Sequence, residues 1–289
     1  MKYTPFALVV MLVFLLSSCT KTEEVIIEGN TAPPDPTIEN VIKENYIHKL
    51  YISLLGRKAT DNEFDEALTT INQGNLSAES RLEVIESIQS KPEFFNNEFT
   101  LMRGNLLNNL DTNEVTLYLA VFENEIANSN DPDYTAALET EKARLEPLST
   151  LLNELTNGAI DMPEAHRRCV NNFFYDEINM GTENFVVSMY QNFLARYPST
   201  EELEKASTMV DNLPSIIFYE VGDSKDDFIN IFMASDDYFE GQVNTLFERY
   251  LFRSANSEES ASLGQAYKNS LNYQALQQSI LSSDEYVGL

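Results

Sequence analysis

The chain of 289 residues is poor in the residue types from which most enzyme sites are built. It contains two histidines, two cysteines, ten glycines and no tryptophan. Two histidines are too few for a multi-histidine zinc site, and neither lies in an HExxH motif. A CxxCH haem motif, a glycine-rich phosphate loop and a GxSxG nucleophile elbow are all missing. These absences favour a protein that is not an enzyme and carries no cofactor or metal.

One histidine–cysteine pair remains as a candidate for chemistry. His166 and Cys169 are three residues apart, which places both on one face of a helix. A catalytic cysteine needs a histidine partner, but a single thiol in an exported protein is usually a small buried hydrophobe. We therefore expect a buried cysteine beside a half-exposed histidine.

Basic residues are scarce as well. The chain has 19 lysines and arginines against 46 aspartates and glutamates, a formal net charge of −27. Nucleic-acid binding depends on clustered basic residues, so this class of partner is excluded. Acidic pairs such as Asp226–Asp227 leave a hydrolase with an unrecognised acidic site as an alternative, although adjacent acids are expected on so acidic a surface.

A long apolar run occurs only at the start of the chain, from Phe6 to Leu16. This run is too short to span a bilayer as a helix and fits the hydrophobic region of a secretory signal. The Leu-Ser-Ser-Cys junction that ends at Cys19 resembles the bacterial lipobox, in which the cysteine is lipidated and the chain is cut before it. We predict a lipoprotein signal peptide over residues 1–18 and a flexible tether over residues 19–38.

The residues after Cys19 are Thr-Lys-Thr-Glu-Glu. This segment resembles the acidic export tag with which some Gram-negative bacteria place lipoproteins on the outside of the outer membrane. We therefore expect a protein anchored by lipid in the outer membrane and facing the cell surface. A periplasm-facing position is the alternative.

The rest of the chain repeats one pattern three times: YISLLGRKATDNEF from Tyr51, YQNFLARYPSTEEL from Tyr190 and FERYLFRSANSEES from Phe247. Before each arginine, apolar residues follow the spacing of the buried face of an amphipathic helix. Three residues after each arginine stands a good N-cap, and three further on a glutamate, which together form a capping box. The arginines are Arg57, Arg196 and Arg253, the N-caps are Thr60, Ser199 and Asn256, and the glutamates are Glu63, Glu202 and Glu259.

Each unit is therefore predicted to be a helix, a tight turn that contains the arginine, and a second helix. A PEF, DDY or DEY motif closes each unit downstream, with an acid beside its aromatic residue: Glu93, Asp237 and Glu285. We expect these acids to pair with the arginines across the turn. We also expect the arginines to bond the last carbonyls of the preceding helix, where the helix dipole favours a cation.

These patterns predict an all-α fold, as an irregular helical-repeat array or bundle. The three related helix-turn-helix units are placed at residues 39–96, 182–240 and 241–289, with a helical insertion at 97–181. The distance from arginine to closing aromatic is 37, 42 and 33 residues in the three units, which argues against a regular solenoid. No alternating pattern with hairpin turns predicts a strand.

The repeated motif, together with the stretch from Phe174 to Leu203, resembles helical domains of unknown function in secreted bacterial proteins and in a group of outer-surface lipoproteins. It is also faintly similar to helical domains that accompany cytochrome c modules. The resemblance implies a helical fold and brings no catalytic residues. We expect a binding or scaffold module for a protein or glycan partner. The alternative is an accessory subunit of an outer-membrane uptake or secretion complex.

Overall fold

The computed structural model describes residues 36–289, with side chains described from Glu39 onward. In this range fifteen α-helices and one two-stranded antiparallel sheet are present. Helix accounts for 76% of the residues, which confirms the predicted all-α class. Cys19, the predicted signal peptide and most of the predicted tether lie outside the described residues.

The first four helices are α1 (Pro36–Leu55), α2 (Asp61–Gln73), α3 (Ala78–Gln89) and α4 (Pro92–Leu106). The next four are α5 (Thr112–Asn128), α6 (Pro132–Thr156), α7 (Met162–Val170) and α8 (Phe173–Ile178). Helices α9 (Thr182–Leu194) and α10 (Thr200–Val210) precede the strands β1 (Ser215–Ile217) and β2 (Glu220–Gly222). The chain ends with α11 (Lys225–Ala234), α12 (Asp236–Leu251), α13 (Ser257–Ser270), α14 (Tyr273–Leu281) and α15 (Asp284–Val287).

Helices α1, α9 and α12 are the arginine-preceding helices that the sequence predicts. Their apolar residues at helical spacing are buried, and they belong to one continuous core that runs through residues 39–289. The expected unit boundaries after residues 96 and 240 fall inside α4 and α12. Helix α12 begins at the closing motif of the second unit and ends at the turn of the third, so the two units share it.

Helices α9 and α12 are packed unusually closely at Gly241. A Cβ atom added there would lie 2.0 Å from the backbone carbonyl oxygen of Phe193. Glycine is therefore required for this helix contact. A similar approach occurs at Gly264 in α13, where a Cβ atom would lie 3.2 Å from the backbone nitrogen of Glu240.

The two ends of the described chain also meet. The Tyr46 hydroxyl of α1 donates to the Leu281 carbonyl at 3.1 Å, and a nitrogen of Arg81 in α3 donates to the Ser282 carbonyl at 2.8 Å. The same nitrogen lies 2.7 Å from the carboxylate of Asp284. Helices α1 and α3 are thus in contact with the last residues of the chain.

The predicted helical insertion, residues 97–181, contains most of α4 and helices α5 to α8, with α5 packed along α6. The chain breaks between α4 and α5. Asn108 and Asn109 adopt left-handed backbone angles there, and Asp111 caps α5 in a capping box with Glu114. Asparagine tolerates left-handed angles better than most residues, which explains the break. Within the described range, no helix is long and apolar enough to cross a membrane.

Candidate binding surface

Each of the three turns is bent by a residue in the left-handed conformation. Gly56, Ala195 and Phe252 have φ angles of 68°, 52° and 57°, and each directly precedes the repeated arginine. Glycine adopts such angles freely, whereas side chains with a Cβ atom adopt them at a cost. We call residues 56–60, 195–199 and 252–256 the first, second and third hinge.

In every hinge the arginine binds the glutamate of the capping box through two nitrogens. Arg196 lies 2.9 and 2.7 Å from the two oxygens of Glu202, and the same glutamate accepts the backbone N–H of Ser199 at 2.7 Å. The corresponding distances are 2.8 and 2.9 Å for Arg57–Glu63 and 2.8 Å twice for Arg253–Glu259. All three predicted capping boxes are present.

The predicted pairing with the acid of the closing motif is present in all three hinges. Arg57 lies 3.0 Å from Glu93, Arg196 lies 3.1 Å from Asp237, and Arg253 lies 2.6 Å from Glu285. The expected bonds to the last carbonyls of the preceding helix are not made. Each arginine instead donates to the carbonyl of the residue after it, because the left-handed residue has already turned the chain away from the helix.

These contacts favour the charged form of the hinge glutamates. Hydrogen bonds from Arg196 and from the Ser199 backbone lower the pKa of Glu202 to about 2, and Arg253 lowers the pKa of Glu259 to about 2. Arg57 holds the pKa of Glu63 well below its usual range. The hinge glutamates are therefore ionised near neutral pH.

The second hinge differs from the others because a β-hairpin follows it. Strands β1 and β2 lie between α10 and α11 and pair in the register Ser215–Gly222, Ile216–Val221 and Ile217–Glu220. The sequence pattern does not predict this hairpin. The strands are three residues long, and their turn is Phe218-Tyr219 rather than the Asn-Gly type that signals a hairpin.

The hairpin turn is strained and exposes an aromatic ring. Phe218 and Tyr219 both have positive φ angles, 46° and 68°, as a two-residue turn of this kind requires. Bulky residues rarely adopt such angles, and strain of this kind is concentrated at functional sites. The Tyr219 side chain is 100% exposed, so no contact within the described chain accounts for its presence.

Aromatic stacking connects the tip to the second hinge. The ring of Phe218 is stacked on Tyr190 with centroids 6.3 Å apart, and it meets Phe232 edge-on at 5.7 Å. The guanidinium of Arg196 lies 5.0 Å from the centre of the Tyr190 ring. The hinge therefore supports the inner side of the tip, while Tyr219 points away from the protein.

Around Tyr219 the surface is apolar and flanked by two clefts. Tyr219, Leu213, Ile216 and Val221 are all exposed, and we call these four residues the hairpin patch. One cleft, of about 440 Å³, is lined by Phe218, Tyr219, Glu220, Asn230, Asp236, Asp237 and Lys268, among others. The other, of about 400 Å³, is lined by Tyr190, Glu201, Glu202, Lys205, Phe218 and Tyr219, among others. Both volumes lie within the range of ligand sites.

His166 and Cys169 are both buried in α7. Nδ1 of His166 lies 2.8 Å from the Tyr238 hydroxyl, and burial lowers the pKa of this histidine to about 3. Burial raises the pKa of the Cys169 thiol to about 12. The expected half-exposed position of His166 is wrong, because α7 packs this face against α12. Near neutral pH the ring is uncharged and the thiol stays protonated, which leaves neither group activated.

A buried polar cluster was also missed by the sequence analysis. Glu98 of α4 is 2% exposed, pairs with Arg249 of α12 at 3.3 Å and accepts a hydrogen bond from Gln277 of α14 at 2.9 Å. The adjoining cavity measures about 50 Å³, well below the volume of a metabolite site. Satisfied buried networks of this kind fix a unique packing, here of α4 against α12 and α14. Nothing in the helical pattern marks Glu98 as buried.

Among residues 36–289, no group of three or more histidine, cysteine and acidic side chains is positioned to hold a metal ion. The chain matches no protein family, no curated protein and no solved structure. The resemblance to outer-surface lipoproteins therefore remains a prediction, and function has to be inferred from the surfaces described above.

Arg196→Ala should lower the free energy of unfolding by about 1 kcal/mol. Arg196 and Glu202 are 40% and 30% exposed, which favours the upper end of the range for surface ion pairs rather than the larger penalty for a buried one. Arg196→Lys should recover part of the loss, because a single ammonium cannot bind both oxygens. Denaturant midpoints measure both effects.

Lys205→Ala is the matched control, since Lys205 forms an exposed pair with Glu201 in α10. This substitution should lower the free energy of unfolding by less than about 0.5 kcal/mol.

The loss of stability caused by Arg196→Ala should also depend on pH. Folding lowers the pKa of Glu202 from 4.5 to about 2. The contribution of the Arg196–Glu202 pair to stability is therefore complete above pH 4.5, the pKa in the unfolded chain, and disappears as the pH falls toward 2. A loss for Arg196→Ala that is equal to the control, or unchanged in acid, would contradict the structural role.

Tyr219→Gly should leave the fold intact and raise the free energy of unfolding by up to about 1 kcal/mol. Relief of the left-handed strain, about 1–2 kcal/mol, exceeds the entropy that glycine adds to the unfolded chain. Tyr197→Gly is the control, because Tyr197 is an exposed tyrosine that does not have a positive φ angle and should lose stability. Equal destabilisation by both changes would show that the turn is not strained.

Proposed function

We propose that the protein is a lipid-anchored lipoprotein of the outer membrane, facing the cell surface, and that it binds a protein or glycan partner through the hairpin patch. The observation that carries this proposal is the strained, fully exposed Tyr219 at the tip of a hairpin. Its side chain stabilises nothing within the described fold, whereas exposed apolar patches of this kind mark sites of interaction.

The architecture supports a scaffold role. We propose that the three hinges belong to copies of one helix-turn-helix unit, because all three share the left-handed residue, the capping box and the acid from the closing motif. The second copy carries an extra element, the hairpin, which accounts for its longer spacing of 42 residues between arginine and closing aromatic. Function is commonly added to a rigid scaffold in this way, on a connecting segment.

The membrane anchor rests on the sequence around Cys19. An apolar run that ends in Leu-Ser-Ser-Cys supports lipidation, and two or three acyl chains make an anchor of this type effectively permanent. The formal charge of −27 supports the same arrangement, because anionic headgroups repel an acidic surface and the tether then keeps the domain off the lipid.

Cys19→Ala should abolish acylation and release the protein from the membrane fraction. Metabolic labelling with palmitate, followed by membrane fractionation, measures both effects. Cys169→Ala is the control and should stay labelled and membrane-bound, since Cys169 is buried in the folded domain. Wild-type protein that is unlabelled and soluble would refute the anchor.

The binding role can be tested on the full chain in intact cells, with a photoreactive benzophenone residue at position 219. Benzophenone reacts with C–H bonds of proteins and glycans alike, so it does not presuppose the class of partner. Illumination should give a cross-linked product at position 219. The control position is Leu117, which is 61% exposed on α5, far along the chain from the hairpin.

A larger amount of cross-linked product at position 219 than at position 117 supports the proposed docking surface. Equal products at the two positions, or none at either, would refute it. If the product contains an outer-membrane β-barrel protein, the chain acts as an accessory subunit of an uptake or secretion complex, which is the alternative function.

A further inference from the structure

The hairpin patch combines aliphatic and aromatic side chains. Ile216 and Val221 face each other across the two strands and are 51% and 72% exposed, and Tyr219 lies in the turn that joins the strands. Sugar rings bind best against flat aromatic faces, which one tyrosine supplies only at the tip. Branched aliphatic side chains instead gain contact area against other apolar side chains. The composition of the patch therefore favours a protein over a glycan.

The clefts on both sides of the patch are acidic. Their linings include five carboxylates, from Glu201, Glu202, Glu220, Asp236 and Asp237, but only two lysines, Lys205 and Lys268. Each lysine is paired with one of these acids, Lys205 with Glu201 and Lys268 with Asp236. Arg196 binds both Glu202 and Asp237. Within residues 39–289, Glu220 has no basic side chain within salt-bridge distance. A partner that approaches the patch therefore meets net negative charge.

The clefts also adjoin a third depression. The cleft beside Glu220 shares Asn230, Ala234 and Lys268 with a depression of about 430 Å³ that is further lined by Met233, Phe239 and Leu271. Because the cleft and the depression share these residues, together they form a groove that is longer than one compact ligand needs. A groove of this shape suits an extended chain segment with side chains of more than one kind.

From these features we infer that the occupant of the hairpin patch is a protein segment in which lysine or arginine residues lie next to apolar residues. This inference rests on the proposed function and names the class of its partner. Apolar side chains of the segment cover Tyr219, Ile216 and Val221, while its basic side chains meet Glu220 and the net negative charge of the clefts. The overall charge of −27 steers such a partner toward the domain.

The test measures the binding of a fluorescent peptide of alternating lysine and leucine to residues 39–289, which form one compact unit. The comparison probes are a glutamate–leucine peptide, a lysine–serine peptide and a neutral dextran oligosaccharide. The lysine–leucine peptide should bind most tightly, because only it supplies both the charge and the apolar contact. Its affinity should fall as salt is added.

The matched variants separate the hairpin from the general acidity of the chain. Glu220→Lys with Val221→Ser changes the charge and the apolar area at the hairpin, and Glu125→Lys with Leu117→Ser makes the same changes on α5. All four side chains are exposed, so both double variants should keep the helical circular-dichroism spectrum. The hairpin variant should bind the lysine–leucine peptide about tenfold more weakly, because a like charge now faces the ligand.

The inference is supported if the hairpin variant binds the lysine–leucine peptide more weakly and the α5 variant binds it as tightly as the wild type does. Equal weakening of the two variants would overturn it, because the peptide would then respond only to net charge. Equal or tighter binding of the glutamate–leucine peptide or of the dextran at the hairpin would also overturn it. Neither result bears on cross-linking at position 219 in cells, so the binding role and the class of partner can fail separately.

Discussion

A guanidinium held between two carboxylates is the contact on which the rest of the described structure depends. In each hinge the arginine binds the capping-box glutamate through two nitrogens and also reaches an acid 32 to 41 residues away in sequence. The first contact fixes the start of the helix after the turn. The second fixes where the closing helix begins. Because the guanidinium is planar and its donors point in set directions, it defines the angle between these helices as well as their proximity.

The hinges were predictable because their determinants are local. The apolar spacing, the arginine, the N-cap and the glutamate lie within about three helical turns of each other, and the capping box has a known geometry. The distant acids were predictable only because the motif occurs three times, which shows that Glu93, Asp237 and Glu285 keep the same position. A single copy would not have distinguished them from the other acids of so acidic a chain.

The hairpin and the buried cluster could not be predicted for different reasons. The turn of Phe218 and Tyr219 opposes local preference, since neither residue favours a positive φ angle. Tertiary packing of Phe218 on Tyr190 and Phe232 overrides that preference. Glu98 and Gln277 are polar residues on helices whose other polar residues face solvent. Their burial depends on α4 meeting α12 and α14, more than 140 residues later in the chain, and no local pattern records that contact.

The second hinge and the hairpin patch are mechanically connected. Arg196 lies over Tyr190, and Tyr190 is stacked on Phe218. The arginine that fixes the helices of the second hinge therefore also supports the strained turn. Left-handed angles at two aromatic residues cost about 1–2 kcal/mol each. Such strain persists only where the surroundings over-determine it. An Asn-Gly turn would adopt the same shape without strain, but it would present no ring. The strain therefore makes sense if the Tyr219 side chain is needed outside the fold, on a support that the geometry of the hinge keeps rigid.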